Sequence, residues 1–213
     1  MIYLDNAATT KPSKTCLEMA QKFNEEFFYN PSALYQGGLS NAREIRNAKE
    51  SILKNLGAVN FDLTFTSCGS ESDNLAIFNV VKRGKFVTTK GEHSAVYKSF
   101  VELKNKGFDV TFIDIKADGS VDEGKLYQYV RENLPDFVSI VHVNNETGAI
   151  NDINTIAKTI KSISPKTIFH ADGVQAYGKI PYTLSKDIDL YSISAHKINA
   201  LKGCGALIRR KKP

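Results

Sequence analysis

The tetrapeptide Ser194-Ala195-His196-Lys197 follows a short apolar run, Leu190 to Ile193, and leads into a loop that reaches Gly205. A lysine just past a buried strand is held by the scaffold, so its amine can be desolvated and its pKa lowered toward neutrality. Such an amine can condense with an aldehyde. By itself Ser-x-His-Lys reads more readily as an ordinary loop; the upstream residues change that reading. Asp172, in His170-Ala171-Asp172-Gly173-Val174-Gln175, closes the run Thr167–His170 with a carboxylate able to keep a ring nitrogen protonated. The same Asp-Gly pair is also a common turn former. Gln175 can donate to a phenolate oxygen on that ring. His93, after the run Lys85–Thr89, can stack on an aromatic ring, shuttle protons, or simply cap the next helix. Thr66-Ser67-Cys68-Gly69-Ser70-Glu71 joins a strand to a helix, where free backbone amides and the positive helix end make an anion site. Its serines would serve equally as N-caps.

Each piece alone is weak. Together they supply a phosphate cradle, a stacking ring, a carboxylate for a ring nitrogen and an amine for an aldehyde, and that set describes pyridoxal 5′-phosphate. His142 and His170 sit in apolar strands and read as hydrogen-bonded core histidines, not metal ligands; no metal site is expected. Asn145, in Asn144-Asn145-Glu146-Thr147-Gly148, leaves the strand Phe137–Val143 and either faces a ligand or builds the turn.

Positioning these groups requires a scaffold, and the chain alternates accordingly. Strands are expected over 63–66, 85–89, 108–115, 137–143, 167–170, 190–194 and 205–209, with helices over 14–28, 40–56, 71–82, 94–106, 121–133 and from 153 onward. Near-continuous apolar strands between helices predict an α/β domain, three-layer α/β/α with a mostly parallel central sheet. All the polar clusters then fall at the carboxyl ends of strands, where such sheets bind ligands. Residues 1–13 read as an extended arm and 29–38 as a loop. A hydrophobic content of 42% with 24% charged residues fits a globular domain, and the net charge of +5 leans on the basic run Arg209-Arg210-Lys211-Lys212. No basic run is interleaved with aromatics, so nucleic-acid binding is not expected. Three scattered cysteines, Cys16, Cys68 and Cys204, give neither a disulfide framework nor a zinc pattern. With no signal-like start and no apolar span, the reading is cytoplasmic, without a membrane partner.

At these residues the sequence resembles the cysteine desulfurases of the class V aminotransferase family, fold-type I pyridoxal phosphate enzymes. The resemblance is carried by Tyr3-Leu4-Asp5-Asn6-Ala7-Ala8-Thr9-Thr10, Asn30-Pro31-Ser32, Phe65-Thr66-Ser67 with Glu71-Ser72-Asp73-Asn74, Glu92-His93, His142-Val143-Asn144-Asn145-Glu146, Asp172 with Gln175, and Ser194-Ala195-His196-Lys197. It covers the chain in order. It implies that the catalytic residues are Lys197, which bonds the cofactor aldehyde and moves the Cα proton, and His93, which stacks on the pyridine face and assists proton transfer. Asp172 would pair with the ring nitrogen, Gln175 with the ring hydroxyl near Asn145. Gly69, Ser70, Ser194 and His196 would hold the phosphate, and Asn6 and Ala7 would border the substrate. The implied reaction takes sulfur from L-cysteine, giving L-alanine and a persulfide for iron–sulfur cluster or thio-cofactor assembly, with a sulfur-acceptor or scaffold protein and a homodimer as partners.

The resemblance also implies that a C-terminal small domain is absent. Residues 14–213 would be the large domain, without the acceptor cysteine and the substrate-clamping arginine, so this chain alone is not expected to complete desulfuration. Cys68 stands where the family commonly has glycine, Tyr35 where it has histidine, and Ile198 to Gly203 replace a Tyr-Gly-Pro-Lys-Gly run. The residues leave open a related lyase or aminotransferase, such as a selenocysteine lyase, and a non-catalytic half of a split protein.

Overall fold

A computed structural model describes residues 2–80 and 83–211. Residues 81 and 82 of the expected third helix, Met1 of the arm, Lys212 of the basic run and Pro213 lie outside them. Helices α1 (Lys14–Glu26) and α2 (Gln36–Asn55) come first, followed by β1 (Phe61–Thr66), α3 (Gly69–Val80), β2 (Lys85–Thr89) and α4 (Ser94–Asn105). Then come β3 (Asp109–Ile113), α5 (Glu123–Asn133), β4 (Phe137–Val141), α6 (Ile153–Ile163), β5 (Ile168–Asp172), β6 (Leu190–Ser194), a 3-10 turn (Ala195–Lys197) and β7 (Gly205–Arg210).

The strands form one seven-stranded sheet in the order β1-β7-β6-β5-β4-β2-β3. From β6 through β3 the neighbours are parallel, and β7 is antiparallel to both β6 and β1. Every residue of β4 and β6 is buried, as a strand covered on both faces requires. On one face Val138, Ile140, Phe169, Ala171 and Tyr191 pack against Ile153, Ile156 and Ile160 of α6 and Leu126 and Val130 of α5. The other face packs Phe86, Phe137 and Leu190 against Ala76 and Ile77 of α3 and Val96, Phe100 and Leu103 of α4. Each large apolar side chain so buried contributes roughly 1.5–3 kcal/mol. The result is the expected three-layer α/β/α arrangement.

Helix α6 shows how the sequence fixes an element. Asp152 accepts from the Thr155 amide at 3.1 Å and starts the helix, and its apolar residues at i, i+3, i+4 and i+7 all go to the core. Boundaries move where glycine misleads. Helix α2 begins at Gln36, inside the expected loop, because Gly37 and Gly38 serve close packing: a Cβ on Gly37 would lie 2.6 Å from the Tyr29 ring, and one on Gly38 would strike the Ala33 carbonyl. Strand β5 runs to Asp172, two residues past the expected end, since Ala171 and Asp172 still pair with Tyr191 and Ser192.

Candidate active site

Five strand ends converge on one cavity of about 260 Å³, at the small end for cofactor pockets. Cys68, Gly69 and Ser70 after β1, His93 after β2, Asn145 after β4, Asp172, Val174 and Gln175 at β5, and Ser194, His196 and Lys197 after β6 line it, with Ala8 from the arm. Thus Lys197 and Asp172 face one space. Because β7 is antiparallel, the β6 end and the start of α3 are set side by side: Gly205 pairs with both Thr66 and Ser194. Gly205 itself leaves room for the chain above, as a Cβ there would sit 2.6 Å from the Cys68 carbonyl carbon.

Asp172 is 3% exposed and accepts from the Val174 amide at 2.9 Å. Burial raises its carboxyl pKa, with the Val174 hydrogen bond and the charges of His93 and Lys197 opposing. Burial lowers the Lys197 amine, against the attraction of Asp172 and Asp5. The amine donates to the carbonyls of Ala7 at 2.5 Å and Ala8 at 2.9 Å. The Ala7 carbonyl also accepts from Gln175 Nε2 at 2.7 Å, and Lys179 Nζ donates to Gln175 Oε1 at 2.6 Å, which fixes the orientation of the amide.

The arm is tied down just beyond. Thr10 donates to the His196 carbonyl from both its amide and its hydroxyl, at 2.8 Å each, and Thr9 Oγ1 lies 3.0 Å from His196 Nδ1. Burial and the nearby Lys197, Lys202 and Lys179 lower the His196 pKa. Of the two arm residues expected at the substrate, Ala7 meets Lys197 through its carbonyl, whereas Asn6 is exposed and its amide turns to Leu4.

His93 fills two roles at once. It is the N-cap of α4, with Nδ1 accepting from the Ala95 amide at 3.2 Å, and its ring lines the cavity. That hydrogen bond puts the proton of a neutral ring on Nε2. The anion end is built from Gly69, the first residue of α3, with Ser70 and Ser194. Here Ser194 Oγ is buried without a hydrogen-bond partner among the described residues. A side chain on Gly69 would strike Val174 at 2.6 Å, so the approach of the α3 amides to the cavity depends on glycine.

Both core histidines are hydrogen-bonded as expected. His142 Nδ1 meets Tyr191 Oη at 2.9 Å, and burial pulls its pKa down to about 4. His170 lies between Ser139 Oγ at 2.8 Å and Ser192 Oγ at 2.9 Å, and burial pulls it to about 3. Two carboxylates to which the sequence assigned no role lie at or beside the site. Asp73, on the sheet-facing side of α3, lines the cavity, and Glu92 is 9% exposed, with Oε1 accepting from Thr89 Oγ1 at 2.7 Å and the Val141 amide at 3.1 Å. Among the described residues no group of three His, Cys, Asp or Glu side chains is arranged to hold a metal ion, and no helix is long and apolar enough to cross a membrane.

The α/β/α sheet thus carries a lysine, a buried carboxylate, a histidine that caps a helix and a helix start in one cavity. Residues 2–213 match the sequence model of the family Aminotransferase class-V, and the chain belongs to that family. It is 37% identical over 216 aligned residues to a "Cysteine desulfurase" from Nostoc sp., covering 99% of this chain and 53% of that protein. It is 39% identical to "Cysteine desulfurase IscS" from Dictyoglomus turgidum, covering 99% and 54%. The chain thus spans about half the length of the curated relatives it matches. Among solved structures, a "NIFS-LIKE PROTEIN" superposes with a TM-score of 0.90 at 34% identity, over all of this chain and 60% of its own. "SspA in complex with cysteine" does so with 0.89 at 33% identity, over 97% and 60%.

Proposed function

We propose that this chain is the cofactor-bearing portion of a pyridoxal phosphate-dependent cysteine desulfurase. The observation that carries the reading is that Lys197 and Asp172 line the same cavity. The donor set fits the cofactor: a partnerless buried Ser194 hydroxyl and the Gly69 opening match an anion, and Asp172 matches a cationic ring nitrogen. When bound, pyridoxal phosphate supplies an aldehyde and an electron-accepting ring.

The protein's part is to bind, orient and move protons. Gly69, Ser70, Ser194 and His196 would hold the phosphate, Asp172 would balance the ring nitrogen, and Gln175, braced by Lys179 and near Asn145, would donate to the ring oxygen. His93 would cover the ring face. Lys197, its amine lowered by burial, would be the residue that holds the aldehyde end and, as a free amine, the base for the Cα proton of the amino acid. Ala7 and Ala8 border the entry, and in the full-length protein the substrate is L-cysteine, leaving as L-alanine while its sulfur passes to an acceptor thiol as a persulfide. We extend the reading to a cytoplasmic homodimer that supplies iron–sulfur or thio-cofactor assembly through an acceptor or scaffold protein. Adding pyridoxal phosphate to the purified chain, reducing with borohydride and weighing the protein tests it. A covalent adduct in wild type and none at the site in Lys197→Ala is expected; equal labelling of both, or no adduct in wild type, would refute it.

A further inference from the structure

Beneath Asp172, on the α3/α4 side of the sheet, lies a layer of polar groups. Ser139 of β4, His170 of β5 and Ser192 of β6 are each wholly buried and hydrogen-bonded in a row. Asp73 reaches this row from α3. It is 1% exposed, its Oδ1 has no hydrogen-bond partner among the described residues, and it lines the cavity. Among those residues the only basic group within 4 Å of it is His170, with Nε2 at 3.6 Å from Oδ1. That ring is no counter-ion: it is neutral and its two nitrogens are occupied by serine hydroxyls.

Around Asp73 the groups that titrate or carry charge are Asp172 from β5, Glu92 from the β2–α4 loop, Cys68 from the β1–α3 loop and the neutral His170. Glu92 Oε2 is likewise buried without a partner. Three buried carboxyl groups therefore share this end of the sheet. The cavity walls oppose them with Lys197 and His93, both of which act on Asp172. A buried carboxylate with no cation beside it and one oxygen left without a donor is costly to ionise, so such a group holds its proton. Asp172, with a backbone donor and the Lys197 amine facing the same cavity, is the one placed to ionise.

We propose that Asp73 is a positioning residue of this cavity: a buried carboxylic acid that keeps its proton, presents an O–H rather than a charge, and leaves Asp172 as the single carboxylate charge facing the ligand. Burial first, and then the neighbouring Asp172, push the Asp73 carboxyl well upward, with the Ser192 hydroxyl opposing. Neighbouring acids with separated affinities for the proton are how one site assigns one anion and one donor. The inference rests on the cofactor reading only in giving Asp172 the ring nitrogen as partner. Its test needs no cofactor, so the two can fail separately.

The test follows the side-chain carboxyl carbons of Asp73 and Asp172 by ¹³C NMR in the 213-residue chain between pH 4 and 8, in wild type and Asp73→Asn. In wild type the Asp73 carbon stays at its protonated shift to pH 7 while Asp172 ionises at lower pH. In Asp73→Asn the Asp172 midpoint moves by less than half a pH unit, because no charge has been removed from its side. Urea unfolding gives the matching thermodynamic signal. The wild-type unfolding constant rises relative to that of Asp73→Asn by close to tenfold per pH unit from pH 5 to 7, as expected for one proton kept by the fold and released on unfolding. An Asp73 carbon that ionises at or below Asp172, an Asp172 midpoint that falls a unit or more in the variant, or a constant ratio of unfolding constants would each overturn the proposal. Should Asp73→Asn not fold, the wild-type titration alone decides.

Discussion

Gly173→Ala is a single methyl added to the turn that carries Asp172, and it should cost about 4 kcal/mol. The Gly173 amide donates to the Ser192 carbonyl at 3.0 Å, which presses the turn against β6. A Cβ at that place would fall within the ring of Tyr191, on its Cζ and Oη atoms. The ring is fully buried, stacked on Tyr182 at 5.9 Å between centroids, and held by the 2.9 Å hydrogen bond to His142. It cannot move without loss. Overpacking a core costs about 1–3 kcal/mol. Breaking the Tyr191–His142 bond with both groups still buried adds about 1–3 kcal/mol. Against a total stability of about 5–15 kcal/mol for a domain, this is a large fraction. The chain has no tryptophan, so the assay is urea unfolding followed by far-ultraviolet circular dichroism. Repeating it in a Tyr191→Leu background, which removes the atoms that clash, should bring the cost of the added methyl below about 1 kcal/mol. A loss under 1 kcal/mol in the wild-type background, or an equal loss in both, would refute the steric argument.

Other outcomes follow from the same geometry. Glu92→Gln should stabilise the protein increasingly as pH rises. Burial lifts the Glu92 carboxyl to about 8, so the penalty for holding its proton grows above the ordinary value of 4.5. The gain at pH 7 should exceed that at pH 5 by about 2.7 kcal/mol, two pH units at about 1.36 kcal/mol each. Parallel urea midpoints at the two pH values would contradict it. Thr10→Val removes the hydroxyl that donates to the His196 carbonyl and accepts from the Asn199 amide at 2.7 Å. Hydrogen-exchange protection of the Thr9–Ser13 amides should fall about tenfold, one to two kcal/mol of local opening, while the amides of β4 stay unchanged.

Much of this molecule is readable from its residues, for reasons that vary along the chain. Strands β2 (Lys85-Phe86-Val87-Thr88-Thr89) and β6 (Leu190-Tyr191-Ser192-Ile193-Ser194) fall where they are expected, each, past Lys85, a short run of apolar and small hydroxyl residues that the sheet buries on both faces. Chemistry sits at the ends of such strands, which is why Lys197, Asp172, His93 and Gly69 are legible as a group in the sequence. The inverted β7 was hidden by the expectation of a mostly parallel sheet. Only residues 195–204 separate it from β6, fewer than a parallel crossover needs, and that spacing was the available signal. Asp73 was given no role for a different reason. A polar residue in the first turns of a helix looks solvent-facing, and only the neighbouring buried Ser72 and the polar row on β4, β5 and β6 show that this stretch of α3 rests on a hydrophilic floor.

The inverted strand also bears on how the protein comes into being. Among the described residues β1 pairs with β7 alone, so a strand made early in synthesis waits for one made about 140 residues later before it joins the sheet. Until then the anion cradle after β1 and the lysine after β6 lack the strand between them and share only the packing of α3 on the sheet. Such distant pairing is slow, and an unpaired β1 edge is exposed while the ribosome finishes the chain. The cavity therefore forms only after β7 has been made, and its assembly depends on a strand that lends the cavity no side chain of its own.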